Sequence, residues 1–186
     1  ALVSASANFT TYAAPAAGSE WEQAALAAIA SSEYHFTDDG AGGYSAPNRT
    51  QGLRVAIDAS GLNVTSRAGG PHEFEFALRF DRIECTDVVH SVGLGTASAE
   101  RDEARIERDG LVESFTNESA GLEHQLFVAY SPCAREGVFV LAFSLTGDVL
   151  AEPLGDSRGV LLRDAGGRVL GRYGNLAVFD ATHRVV

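Results

Sequence analysis

The segment TNESAGLEHQLFVAYSPC, Thr116 to Cys133, sets a glutamate beside a histidine, a serine before a proline and a cysteine at its end. An acid, an imidazole and a nucleophile are the parts of a hydrolytic site, provided the fold turns them toward one hollow. The pattern within GLEHQLFVAY argues otherwise. Leu122, His124, Leu126, Val128 and Tyr130 alternate with Glu123, Gln125 and Phe127, the form of a strand entered by a turn at Ala120 and Gly121. Period two sends Glu123 and His124 to opposite faces. The expectation is that polar groups close in the chain are held apart in space, so that no imidazole, acid and hydroxyl converge.

Other chemistries are equally sparse. Five histidines (His35, His72, His90, His124, His183) lack the spacing that puts two imidazoles on one metal, and no G-x-S-x-G elbow is present. Ser131 before Pro132 shapes a strand exit. No catalytic residues are assigned. Hard oxygen ligands for calcium stand in TDDGAGG (Asp38, Asp39) and TGDVLAEPLGD (Asp148, Glu152, Asp156), although neither segment has the D-x-D-x-D-G series, and solvated acidic turns are the alternative. No other cofactor is expected. The glycine-rich pieces GAGG and DAGG have no following Lys and read as turns. Cys85 and Cys133, the only cysteines, are too few for a closed zinc site and read as a disulfide; free core thiols or a reactive thiol are the alternatives. Sequons occur at Asn8, Asn48, Asn63 and Asn117 and matter as glycan acceptors only in a eukaryotic secretory path. An Asn side chain holding a turn is the plainer role for Asn48 and Asn117.

The elements that position these groups follow from composition and periodicity. With 186 residues and 45% hydrophobic content the chain supports one core. All 14 basic residues are Arg, and 25 acidic residues bring the formal charge to -11, which repels nucleic acid and anionic lipid. No apolar run reaches the roughly 20 residues of a membrane span. Arg, Ala and Gly without Lys is the composition of a GC-rich bacterial coding sequence. A chain without Met, opening on ALVSASA, is expected to be processed or cut from something longer, with export favoured.

Residues 1–18 read as an extended arm and residues 19–186 as a single domain. Ser19 caps a helix at about 19–32 with Glu20 and Glu22 in its first turn. Trp21, Ala25, Ala28 and Ile29 share a face, which is expected to pack its Trp on a sheet. Beyond Glu33, LRVAID and LNVTS flank the turn ASG, EFEFALRF points Phe74, Phe76, Leu78 and Phe80 inward, and ARIERDGLVESF carries the hairpin signal Asp109-Gly110. GVFVLAFSLTGD is apolar on both faces and is expected to be central in its sheet. GVLLRDAGGRVLGRY reads as a hairpin across Asp164 to Gly167, and NLAVFDATHRVV as a last strand. Roughly ten short strands with frequent turns predict a mainly β fold, an antiparallel β-sandwich (jelly-roll or Ig-like) with one short amino-terminal helix. A barrel is the alternative closure.

Three segments resemble the amino-terminal β-rich domain that precedes FG-GAP or similar β-propeller repeats in large secreted proteins of myxobacteria and related bacteria. They are APNRTQGLR (Ala46 to Arg54), VESFTNESAGLEHQL (Val112 to Leu126) and GGRVLGRYGNLAVFDA (Gly166 to Ala181). The pattern comprises Asn48, Arg49, Gly52 and Leu53, then Asn117, Gly121, Leu122 and Glu123, and finally Tyr173, Leu176, Asp180 and Ala181. Such sequences continue Gly-Leu-Glu-Gln-Gly where this chain has His124 and Gln125. The resemblance implies an extracellular module without established chemistry. The resulting expectation is a non-enzymatic structural or interaction module at the cell surface or outside it. It would adhere or self-assemble into filaments or oligomers through edge strands and the arm. A carbohydrate-binding module, with Tyr12, Tyr34 and Tyr44 as stacking residues, is the alternative, and a small secreted hydrolase the third reading.

Overall fold

The computed structural model describes residues 20–67, 73–130, 133, 140–156 and 158–179. Among these residues the helix α1 (Glu20–Ser32) is followed by fourteen strands. These are β1 (Thr37–Asp38), β2 (Tyr44–Asn48), β3 (Leu53–Asp58), β4 (Gly61–Ser66), β5 (Glu75–Glu84), β6 (Val89–Ser91) and β7 (Thr96–Glu100). The second half holds β8 (Glu103–Arg108), β9 (Leu111–Glu118), β10 (Gly121–Val128), β11 (Val140–Gly147), β12 (Leu150–Pro153), β13 (Gly159–Arg163) and β14 (Val169–Gly174). All strand pairs are antiparallel.

One sheet has seven strands in the order β1-β2-β3-β4-β5-β11, with β6 also on β5; a second runs β10-β9-β8-β7. Consecutive strands are neighbours because short turns close them. Asp58 Oδ1 accepts the Ser60 amide at 2.7 Å between β3 and β4, replacing backbone partners that the turn gives up. Gly110 closes β8 to β9 at φ 68°, a left-handed conformation that glycine adopts without strain.

The two sheets face each other as a sandwich. Val55, Ile57, Leu62 and Val64 from the larger sheet meet Ala104, Ile106 and Phe115 from the smaller one. A second cluster of Phe80, Ile83 and Leu111 lies toward the other end, flanked by Leu126, Val128, Leu141 and Phe143. Phe76, Leu78 and Phe80 point inward as the alternation predicts. Ile83 then breaks the parity, because β5 pairs Arg82 with Ala142 but Phe80 with Phe143, leaving Asp81 as a bulge.

A neutral tie joins the sheets. Asn48 on β2 donates to Asn117 Oδ1 at 2.9 Å and to the Glu118 carbonyl at 2.7 Å, while Asn117 donates to the carbonyls of Tyr34 and Pro47. The two residues are 1% and 0% exposed. Buried amides of this kind persist only when partnered.

Three expectations change. Trp21 is 71% exposed and no residue of α1 is buried, so the helix does not pack its Trp on a sheet. Ala25 and Ala28 give that stripe little area to bury, and the driving force scales with area. The strand β11 is an edge, pairing among the described residues with β5 alone. Its apolar character on both faces matches half-burial on both rather than central hydrogen bonding. Beyond β14, residues 175–178 are not strand, and most of the segment expected to form a last strand lies outside the described residues, as do the arm and Ser19.

A third sheet, β12-β13-β14, stands apart from both ladders. Period two puts Val160, Leu162 and Tyr173 on its inner face, where Leu162 is buried. The disulfide Cys85–Cys133, with Cα atoms 5.7 Å apart, anchors the segment after β10 to the end of β5. It closes a loop of 48 residues, which on chain-entropy grounds stabilises the fold by about 4 kcal/mol. Reduction, or paired Cys85→Ser and Cys133→Ser replacement, is expected to lower the urea midpoint accordingly, measured by circular dichroism with and without reductant.

Candidate functional site

The Asp109-Gly110 turn fixes the register of β8 and β9 so that Ile106 faces Glu113 and Arg108 faces Leu111. Ala104, Ile106 and Arg108 therefore share the inner face with Leu111, Glu113, Phe115 and Asn117. Two of these side chains carry charge. Glu113 is 2% exposed, and its Oε2 accepts from the Arg108 guanidinium, whose side chain is 6% exposed. Arg108 Nε also donates to the Gly93 carbonyl at 2.8 Å.

The strand β10 adds the imidazole. His124 lies opposite Phe115 in the ladder, and the two rings stack with centroids 4.5 Å apart. Phe143 meets the imidazole edge-on at 5.7 Å. His124 Nε2 stands 3.3 Å from Glu113 Oε1, an ion-pair distance, yet the angle admits no hydrogen bond and Nε2 is buried without one. On the other side of the ring, Nδ1 and the Tyr173 hydroxyl of β14 are hydrogen-bonded at 2.9 Å, the donor being set by the imidazole tautomer. Tyr173 is 44% exposed as a residue, but its hydroxyl end is turned inward. Burial first, and the Glu113 charge second, push its phenol above the ordinary value of 10.0. A phenol so shifted is a hydrogen-bond donor and a poor nucleophile near neutrality.

An imidazole, an acid and a hydroxyl thus do converge, against the expectation that such groups are held apart. Glu123 and His124 do lie on opposite faces, and Glu123 is exposed with Gln125 on its carboxylate at 2.9 Å. The acid that meets His124 comes from β9 and the hydroxyl from β14. The signal was present in the pattern: in LVESFTN the inward phase Leu111, Glu113, Phe115, Asn117 carries a charge among apolar residues. Tyr173 had no such local signal, because its pairing spans 49 residues.

The other candidates fall elsewhere. Asp38 Oδ1 accepts the Gly40 amide at 2.7 Å, and Asp39 Oδ1 those of Ala41 and Gly43. Asp148 Oδ2 accepts the Glu75 amide and Asp156 Oδ1 the Arg158 amide. Glu152 pairs with Arg163. Among the described residues no group of three or more His, Cys, Asp or Glu is arranged to hold a metal. The sequon amides of Asn48 and Asn117 are buried donors, inaccessible to a glycan, and the Asn63 amide donates to Asp58 at 3.2 Å; Asn8 lies outside the described residues. Gly121 opens β10 at φ 143° and Leu122 packs on the main core. Tyr34 bonds Thr50 at 2.8 Å and Tyr44 packs on the core, whereas Tyr12, His72 and His183 lie outside the described residues. His35 is half-buried, His90 is exposed on β6, and Ser131 lies outside the described residues.

Two shallow hollows, of about 200 and 410 Å³, lie at the β5–β11 end and at the β11–β12 turn. The first is lined by Asn63, Glu75 and Phe76 and the second by Asp148, Leu150 and Asp164; neither touches His124 or Glu113. No helix among the described residues is long and apolar enough to cross a membrane. No protein-family model, curated protein or solved structure matches the chain.

Two outcomes follow from the charged network. Glu113→Gln leaves Arg108 buried without its counter-charge and is expected to destabilise the fold by about 3–5 kcal/mol in urea denaturation at neutral pH. The raised Tyr173 phenol adds stability that is complete below pH 10.0 and is lost as pH climbs through its folded value. Unfolding scans across alkaline pH should show this loss in the native chain and not in Tyr173→Phe.

Proposed function

We propose that the chain is a non-enzymatic extracellular structural and interaction module, of the kind that stands ahead of propeller-type repeats, working by adhesion or self-assembly. The observation that carries this reading is its uncovered apolar surface. Trp21, Leu26 and Ile29 stand on α1, Phe127 and Tyr130 at the end of β10, and Leu150, Val169, Leu176 and Phe179 around the third sheet, all exposed. Apolar side chains gathered on surface elements mark places where another surface docks.

Edge strands support the same reading. Among the described residues β10 and β7 each have one hydrogen-bonding side without a strand, as do β12 and β14. Such an edge accepts an incoming strand through main-chain bonds alone. The arm of residues 1–18 is the strand this chain would donate to another copy. The disulfide fits an oxidising compartment outside the cytosol, and the reading needs no cofactor.

Carbohydrate binding is the second reading, with Trp21 and Tyr130 as the exposed rings able to stack on sugar. A glycan array on the intact chain tests it.

Assembly predicts a particular salt response. Copies carrying -11 repel one another, so association through apolar surface should strengthen as salt screens that charge. Light scattering should report a mass that rises with ionic strength in the full chain and stays monomeric when residues 1–18 are deleted. An unchanged mass on deletion would remove the arm from the mechanism.

A further inference from the structure

The three-stranded sheet β12-β13-β14 is hydrogen-bonded within itself and not laddered to either sheet of the sandwich. Its strands contribute one buried residue, Leu162, with Val149 buried just before β12. Every residue of β12 is exposed. A unit with so little buried area opens at a lower free-energy cost than the sandwich beneath it. What lies beneath is already built. His124 is fixed by the Phe115 stack, by Phe143 at its edge and by the Glu113 carboxylate behind Nε2, all on strands of the sandwich. None of these supports depends on the third sheet. Nδ1 is left on the side away from Glu113, and the Tyr173 hydroxyl meets it at 2.9 Å.

We propose that β12–β14 is a displaceable flap, and that the place its Tyr173 fills beside His124 and Phe143 is a binding site for a phenolic ring. The ligand class is read from the occupant. A phenol hydrogen-bonds Nδ1 through its hydroxyl and lays its ring where Tyr173 lies, and a ring without the hydroxyl leaves the buried imidazole nitrogen unpaired. Two sources carry this chemistry, a free small phenol and the Tyr173 strand of a second copy. In the second case the flap exchanges between copies across the short Asp148-Val149 link.

The probes are p-cresol and toluene, matched in ring and methyl and differing in the hydroxyl. In Tyr173→Ala, p-cresol is expected to shift the His124 ring signals in NMR and to bind at least tenfold more tightly than toluene. In the native chain it should bind more weakly than in Tyr173→Ala and speed hydrogen exchange in β12–β14 while β8–β10 stay protected. His124→Phe, which keeps an aromatic ring on the stack and removes the ring nitrogen, should abolish the preference for p-cresol over toluene. Light scattering of the native chain separates the sources. A dimer that dissociates on adding p-cresol assigns the second copy, and a monomer that still binds p-cresol assigns the small phenol. Equal binding of p-cresol and toluene to a folded Tyr173→Ala, or exchange in β12–β14 as slow as in β8–β10 with p-cresol present, overturns the proposal.

Discussion

A carboxylate at 2% exposure must be met on every side, and Glu113 organises the open side of the sandwich for that reason. Its partners come from three directions: Arg108 across the hairpin turn, His124 from the next strand, and Tyr173 through the imidazole from the third sheet. Each contact depends on register. A slip of one residue between β8 and β9 would turn Glu113 to solvent and Leu111 and Phe115 with it. The charge therefore penalises wrong pairings more heavily than an apolar residue would, and the Asp109-Gly110 turn, with Gly110 at φ 68°, joins the two strands in the right one.

The alternation of apolar and polar residues carries most of the fold. In LRVAID and ARIERDGLVESF the inward phase names Val55, Ile57, Ile106 and Phe115, all buried. Local pattern ends where long-range geometry begins. Whether a two-faced strand such as β11 is central or an edge depends on which strands return beside it, and its one described partner, β5, lies far back in the chain. The helix forms where its first-turn acids place it, but its packing differs for an energetic reason: a stripe that is half alanine looks amphipathic in pattern and offers too little area to hold Trp21 down. The site was half legible. Period two separates His124 from Glu123, as the ladder bears out, but the partners His124 does meet come from other strands, which bring together residues across ladders that no local pattern pairs.

The acidic turns show how the same residue type carries different meanings. Asp38, Asp39, Asp58 and Asp156 each turn a carboxylate oxygen onto amides two to four residues on, closing loops that short strands require. At Asp58 burial opposes the charge, but the Ser60 hydroxyl and amide, Arg79 and Asn63 outweigh it and hold the carboxyl below its ordinary range. In each of them that oxygen holds a turn through the backbone amide it faces.

Among the described residues two polar links cross the interior, and their chemistry separates their roles. Asn48 and Asn117 join the sheets through neutral amides whose donors end on carbonyls or on each other, an arrangement that gains nothing by opening. The Glu113–His124–Tyr173 chain is charged at one end and part-exposed at the other, and it leaves Nε2 without a hydrogen bond at its middle. A closed network of amides costs several unpaired groups when broken, so it behaves as a permanent joint. Losing the Tyr173 contact frees only one imidazole nitrogen and one hydroxyl. Movement in this molecule therefore belongs to the side where the third sheet rests, and the Asn joint holds the rest in place while it happens.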